Sequence, residues 1–354
     1  MVRGPCFVCC RFSSPSSGEA PLLKEFEVSS AEPAYYADWP WLPNGSSATA
    51  HAVPALKSLT LQYAPFKWSS PMLHASLETL NLRALPTAHL PLDRILYILS
   101  NNPLLRSLTI HFQGVLSAVL PLSNVTLPHL TKLDIGGHYL LTQIIDSITL
   151  PALTDLTVDI EARDSIEENI IGLVMRSHYP HVEHLSIAYG SSSSASTYYF
   201  GPGGVMISWN TLFGEMTHLK SLHIGGTPLE PLLTALGPPG DDMHQLEAWA
   251  CPGLEVLGMR NCNAHSEWAV RLVQMVETRN PISGSAPSSS LASGSGSGSG
   301  AGAASFSDAS GSGTTPLRLK TLEMHDCTSL GQDVVKWLKD RIENVVCTDL
   351  TYER

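Results

Sequence analysis

The residues of this chain that could carry out chemistry do not assemble into a recognisable catalytic motif. Cys6, Cys9 and Cys10 contain the Cys-x-x-Cys spacing of a zinc-ligand pair. A zinc site needs two further ligands, and no matching second pair lies near them in the sequence. Lipid attachment and an unstructured tail are the alternatives for this cluster. We therefore predict no metal site at these cysteines.

The histidine and glycine motifs also give no catalytic prediction. His181 and His184 are three positions apart, which in a strand directs the two side chains to opposite faces. The glycine-rich segment 201–204 lacks the Lys and Ser/Thr of a phosphate-binding loop. The Ser/Gly repeats, such as 294–296, lack the strand-turn-helix context of a nucleophilic serine. We expect a protein that is not an enzyme and that needs no cofactor.

The composition argues against several classes of partner. The formal net charge is −11 and charged residues make up only 15% of the chain. Nucleic acids and anionic membranes both require clustered Lys and Arg, so we expect neither as a partner. The sequence has no run of 18 apolar residues and no secretory signal at its start. Seven cysteines without a framework spacing fit a reducing compartment, so we expect a cytoplasmic or nuclear protein.

A repeated apolar pattern, Leu-x-x-Leu-x-(Leu, Ile, Val or Met), determines the fold prediction. Most steps between its copies lie near the roughly 20 to 29 residues of a leucine-rich repeat. The first positions of the ten copies are Leu23, Leu56, Leu77, Leu105, Leu130, Leu153, Val182, Leu219, Leu254 and Leu319. The alternation of apolar residues within each copy predicts a short strand.

The segments between these strands have apolar residues at helical spacing. Leu92, Ile95 and Leu96 follow Pro91 in one segment, and residues 165–168 match a helix-opening capping box in another. Strands that alternate with helices at a short period run parallel, with the helices on one face. The predicted fold class is α/β: a leucine-rich-repeat solenoid, or horseshoe, with parallel strands on its concave face and helices on its convex face.

The predicted organisation has four parts. Residues 1–19 are a Ser/Pro/Gly-rich tail that we expect to be disordered, and residues 20–281 form the solenoid, with a long loop at 190–204. Residues 282–315 are a low-complexity Ser/Gly insertion with too few apolar residues to fold. Residues 316–354 contain the final repeat and a C-terminal helix that caps the open end of the core.

Two further cysteines follow strands in the last clear copies of the repeat. Cys262 comes three positions after Met259, and Cys327 comes three positions after Met324. In repeats of this kind, this residue turns inward and bonds the backbone near the end of the strand. We therefore predict a structural role for both thiols.

The strand pattern also predicts where a partner binds. If the leucines point inward, the alternating residues form two columns on the concave face. Large polar side chains in these columns are the best candidates for anchoring a contact. The predicted partner-binding residues are Arg83, His111, Asp134, Asp159, His223, Arg260, Glu323 and His325. The alternative is that these residues only face solvent and that a partner docks on a loop edge.

Three segments of the chain resemble the leucine-rich-repeat region of the F-box proteins that are abundant in mushroom-forming fungi. They are Pro54-Ala55-Leu56-Lys57-Ser58-Leu59-Thr60-Leu61, Phe66-Lys67-Trp68-Ser69-Ser70-Pro71, and His325-Asp326-Cys327 with Val334-Val335-Lys336-Trp337-Leu338-Lys339. In that family an F-box docks onto the Skp adaptor of a ubiquitin ligase and the repeats capture a substrate. Residues 1–50 lack the F-box pattern, so the resemblance implies a Skp partner only if an F-box lies outside this chain.

The resulting prediction is a non-catalytic module that recognises another protein, as the substrate-binding repeats of an F-box-type receptor do. The alternative function is a repeat-type regulator of a small GTPase. That alternative predicts that the purified chain accelerates GTP hydrolysis by its GTPase.

Overall fold

The computed structural model describes most of the chain and places it in an α/β fold built on one large parallel sheet. The described residues are 22–29, 55–64, 66, 68–84, 89–116, 122–161, 165–189, 205–239, 248–262, 267–281, 316–327 and 330–348. The predictions for residues 1–19, 190–204 and 282–315 lie outside these ranges.

Eleven strands form the sheet, and their order in the sheet is their order in the chain. The strands are β1 (Glu25–Ser29), β2 (Ser58–Gln62), β3 (Thr79–Arg83), β4 (Ser107–Phe112), β5 (Lys132–His138), β6 (Asp155–Glu161), β7 (His184–Ala188), β8 (Ser221–Gly225), β9 (Val256–Arg260), β10 (Thr321–His325) and β11 (Asn344–Thr348). Each strand runs parallel to the next. The first ten strands coincide with the ten copies of the sequence pattern.

Helices fill most of the connections between strands. The described α-helices are α1 (Leu92–Ser100), α2 (Thr142–Ser147), α3 (Glu167–Arg176), α4 (Trp209–Glu215), α5 (Leu229–Ala235), α6 (Trp268–Arg279) and α7 (Gln332–Lys339). Pro71–His74 and Tyr139–Leu141 are 3-10 helices. Two short parallel ladders add His89–Pro91 with Gly114–Leu116 and Val125–Thr126 with Ile148–Thr149. Each α-helix contacts the next one along the chain.

A single apolar core lies between the helices and one face of the sheet. Leu59 and Leu61 of β2 are buried, while Ser58, Thr60 and Gln62 between them are partly exposed. The same alternation recurs in β3, β7 and β10. The buried strand residues and the apolar faces of the helices belong to one continuous cluster. Burial of these side chains stabilises the stack at about 25 cal/mol per Å² of apolar surface.

Buried polar side chains connect neighbouring coils of the chain, where a coil is one strand of the sheet together with the connection that follows it. Asn102 is fully buried and accepts a hydrogen bond from the Leu77 amide at 2.8 Å. Its amide nitrogen donates to the carbonyl oxygens of Leu73 at 2.7 Å and Ile98 at 2.8 Å. Asn280 bonds both the amide and the carbonyl of Leu319 in the same way. These side chains satisfy backbone groups that the sheet leaves without partners.

The cysteines after β9 and β10 turn inward, as predicted. Cys262 is 4% exposed and Cys327 is 5% exposed. The thiol of Cys262 lies 3.4 Å from the carbonyl oxygen of Arg260, and that of Cys327 lies 3.5 Å from the carbonyl oxygen of Met259. The residue before each cysteine, Asn261 or Asp326, has a left-handed backbone with φ near 53° or 52°. Asn and Asp tolerate this conformation better than most residues do.

One local prediction was wrong. The capping box at 165–168 does not form. The N-cap of α3 is Ile166, the helix begins at Glu167, and the Ser165 hydroxyl accepts a long hydrogen bond of 3.4 Å from the Glu167 amide. The Tyr189 hydroxyl accepts the Ile166 amide instead, and Glu167 accepts the amide of Ser208. The helix expected in residues 316–354 is α7, and β11 follows it and pairs with β10.

Within the described ranges, no helix is long and apolar enough to cross a membrane.

Candidate functional site: the outward face of the sheet

The face of the sheet opposite the helices, here called the outward face, carries the eight predicted partner-binding residues. The strand register joins them into two columns that cross the sheet. The first column is Thr60, Asn81, Thr109, Asp134, Thr157, Ser186, His223, Gly258 and Glu323. The second column is Gln62, Arg83, His111, Gly136, Asp159, Ala188, Gly225, Arg260 and His325. The two columns are those expected from the alternation in the sequence.

Three of the eight residues form a charged group on β3, β4 and β5, here called the Asp134 cluster. Asp134 Oδ1 lies 2.8 Å from His111 Nε2, and Asp134 Oδ2 lies 3.3 Å from Arg83 Nη2. The side chain of Asp134 is 15% exposed, whereas that of Arg83 is 34% exposed. The carboxylate is therefore largely covered, His111 is 20% exposed, and the guanidinium of Arg83 is the most accessible part of the cluster.

Gly136 on β5 makes room for this arrangement. It lies beside His111 in the register, and a β-carbon at this position would be 2.6 Å from His111 Nδ1 and Cε1. Real β-carbons do not approach another atom that closely, so any side chain at position 136 would displace the imidazole. The missing side chain lets the His111 ring lie flat against the sheet and reach Asp134.

Three more predicted residues form a second group at the other end of the described sheet, here called the Glu323 cluster. Glu323 Oε2 lies 3.9 Å from His223 Nε2 and 3.8 Å from His325 Nε2. His325 Nδ1 is also 3.0 Å from the hydroxyl of Thr348 on β11. The carboxylate therefore lies between two imidazoles, at distances looser than that of the His111–Asp134 pair.

A second glycine supports the Glu323 cluster. Gly258 pairs with His223 on one side and with Glu323 on the other. A β-carbon at Gly258 would overlap the His223 ring, so the imidazole lies over the backbone of β9. Burial lowers the pKa of His223, and the nearby Glu323 carboxylate offsets part of that effect. His223 is therefore mainly neutral at neutral pH, and can act as a hydrogen-bond donor or acceptor.

The remaining two predicted residues lie in the second column. Asp159 lies on β6 beside Gly136, and Arg260 lies on β9 beside His325 in the register. Small side chains, Ala188 and Gly225, occupy the second column between them. The two clusters are separated by three strand spacings, or about 14 Å from β5 to β8, and this interval includes a low stretch where Ala188 and Gly225 stand in the second column.

The structure adds three residues to the site that the sequence analysis did not select. Gly136 and Gly258 leave space for the rings of His111 and His223, and Thr348 extends the Glu323 cluster onto β11. A signal for the glycines was present, because each lies opposite a histidine on the neighbouring strand once the columns are aligned. No signal marked Thr348, since β11 does not carry the leucine pattern.

Other motifs considered in the sequence lie away from the outward face or form no site. His181 precedes β7 and stacks on His218, with ring centroids 4.2 Å apart, while His184 begins the strand. The described residues contain no group of three or more His, Cys, Asp or Glu side chains arranged to hold a metal ion.

Comparison with known proteins gives no family: no protein-family model matches the chain, and no curated protein does so.

Proposed function

We propose that this chain is a leucine-rich-repeat solenoid, curved as a horseshoe, that recognises another protein through the outward face of its sheet. The observation that carries the proposal is the pair of ordered polar clusters on that face, built around Asp134 and Glu323. The ten sequence copies that coincide with ten successive strands support the repeat architecture. In a curved solenoid of this kind, the outward face of the sheet is the concave surface.

The arrangement of the clusters suits recognition. Arg83 and His111 are held by Asp134, so less side-chain freedom is lost when a partner binds. Arg83 and His223 also remain accessible, with side chains 34% and 45% exposed. Arginine is enriched among the residues that dominate binding energy at protein interfaces. The low stretch between the clusters leaves room for a partner segment to lie against the sheet.

The proposed partner is a protein substrate, by resemblance to the repeats of F-box-type ubiquitin-ligase receptors. A Skp adaptor belongs to the proposal only if an F-box lies outside this chain. Neither a nucleic acid nor a membrane is proposed as a partner, because the net charge is −11.

The test is affinity purification of the tagged chain from its native cells, followed by quantitative mass spectrometry of the bound proteins. We expect Arg83→Ala to reduce the recovery of a specific partner roughly tenfold, which corresponds to about 1.4 kcal/mol of binding free energy. His223→Ala is expected to weaken the same partner. Recovery of Skp and cullin subunits with the wild-type chain would identify the module as part of a ligase.

Matched controls are available outside the strands of the sheet. Arg94 is an exposed arginine in α1, and His129 is an exposed histidine before β5. Arg94→Ala and His129→Ala should leave the recovery of the partner unchanged. If these controls weaken binding while the outward-face variants do not, the partner docks elsewhere and the proposal is wrong.

A further inference from the structure

Cys262 and Cys327 occupy equivalent positions in neighbouring coils of the chain. Arg260 and His325 are paired in the register of β9 and β10, and each cysteine follows two residues later. The Asn261 amide donates to the His325 carbonyl oxygen at 2.9 Å, so the segments that follow β9 and β10 remain side by side beyond the strands. Neighbouring parallel strands are about 4.8 Å apart, which lies within the Cα separation that a disulfide bridges.

Both thiols point toward the preceding strand, and Cys262 Sγ lies 3.8 Å from the carbonyl oxygen of Ile224 on β8. Cys327 Sγ lies 3.5 Å from the carbonyl oxygen of Met259, so this sulfur leans toward the coil that carries Cys262. Cys262 Sγ itself lies 3.4 Å from the carbonyl oxygen of Arg260. Hydrogen bonding with the neighbouring Cys262 holds the pKa of Cys327 below its usual range, and the same neighbour relation raises the pKa of Cys262. Cys327 is therefore the better nucleophile of the pair.

Cys327 lines a cavity, although the residue is only 5% exposed. The cavity has a volume of about 260 Å³ and lies between β10, α7 and β11, with Cys327, Gln332, Lys339 and Cys347 among its lining residues. Cys262 does not line the cavity and lies behind Cys327. The ammonium group of Lys339 favours an anionic reagent in this cavity.

We propose that Cys262 and Cys327 form a thiol–disulfide exchange site that reacts with a small anionic disulfide, such as glutathione disulfide. In the first step the Cys327 thiolate attacks one sulfur of the reagent, its S–S bond breaks, and one thiolate leaves. In the second step the Cys262 thiol releases its proton to solvent and attacks Cys327 Sγ, the S–S bond of the mixed disulfide breaks, and the second reagent thiolate departs. The reagent gains two electrons, and the protein gains one disulfide between β9 and β10.

The disulfide would join the last coils of the stack covalently. It would enclose residues 263–326, which include the Ser/Gly-rich segment 282–315. A crosslink of this kind restricts the unfolded chain, so the oxidised protein should unfold at a higher temperature than the reduced one. The inference does not depend on the proposed partner-binding function.

The test is treatment of the purified full-length chain with glutathione disulfide at neutral pH, followed by acid quenching, alkylation and mass spectrometry of its peptides. The expected result is a peptide pair joined through Cys262 and Cys327 that separates on reduction. The proposal is overturned if both cysteines remain alkylatable with no bond between them, or if Cys327 is instead joined to Cys347.

Two variants separate the steps. In Cys262→Ser the reaction should stop at the mixed disulfide, so that glutathione remains attached to Cys327. Cys347→Ser is the matched control, because it removes the other cysteine that lines the cavity and should leave the Cys262–Cys327 bond intact. Loss of that bond in the control would contradict the proposal. The wild-type measurement requires no variant, so a variant that fails to fold does not affect the test.

Discussion

Replacing Asn102 with alanine removes the side chain that joins three backbone groups of two coils. The Leu77 amide and the carbonyl oxygens of Leu73 and Ile98 all bond this side chain at 2.7 to 2.8 Å, in a fully buried position. A buried hydrogen bond contributes about 1 kcal/mol, and a buried group left without a partner costs about 1–3 kcal/mol. We therefore expect Asn102→Ala to lower the free energy of unfolding by about 3 kcal/mol.

The neighbouring residue provides a matched control. Asn101 is exposed, and its side chain bonds only the Tyr97 carbonyl oxygen at the end of α1. Asn101→Ala should change the free energy of unfolding by about 0.5 kcal/mol or less. Both variants can be compared by guanidinium unfolding followed by far-UV circular dichroism, with hydrogen exchange of the Leu77 amide as a local probe. Equal stability of the two variants, with unchanged exchange at Leu77, would refute the role assigned to Asn102.

Three further predictions test the packing and the electrostatics. Gly137→Ala should destabilise the chain by more than about 2 kcal/mol, because Gly137 has φ 107° and the added β-carbon would overlap the Phe112 carbonyl. In the control Gly214→Ala the added β-carbon meets no neighbour, so this variant should raise the unfolding midpoint slightly. Arg279→Met should cost about 3 kcal/mol in the same guanidinium assay, because it removes the three hydrogen bonds that the buried guanidinium donates to the carbonyl oxygens of Leu236, Ala250 and Cys251. Arg271→Met, at an exposed position of the same helix, should be neutral. The pKa of His223 in the folded chain lies below 6.5, so its contribution to stability should be complete above pH 6.5 and should decrease as the pH falls below that value. His223→Gln should therefore weaken the pH dependence of the thermal unfolding midpoint. An unchanged pH dependence in this variant would contradict the prediction.

Much of the sheet could be predicted from the sequence because its side chains alternate with a period of two. Once the leucines are assigned to the core, the residues between them must share the opposite face. Because the apolar positions have the same spacing within every copy of the pattern, aligning the copies gives the register of the strands. This places Asp134 beside Thr157 and His111 beside Gly136 without reference to coordinates. The edge strand β11 was not predicted, since Val345 and Cys347 stand where most earlier strands have Leu followed by Leu, Ile or Met.

The contacts within the site could not be predicted in the same way. The columns predict neighbours on the face, but they do not predict which side-chain rotamers bring Arg83 and His111 onto one carboxylate. The link between coils through Asn102 was also missed, because a single polar residue in a connection has no periodicity. Its role depends on backbone groups of Leu73 and Leu77, which lie in the preceding coil of the chain.

The measurement that tests the proposed function most directly is site-specific photo-crosslinking in native cells. A photoreactive amino acid replaces Thr157, which lies on the outward face between the two clusters, or Tyr97, which is 55% exposed on α1. The proposal predicts a covalent adduct with a partner protein from position 157 and none from position 97. An adduct from position 97 with none from position 157 would contradict recognition through the outward face.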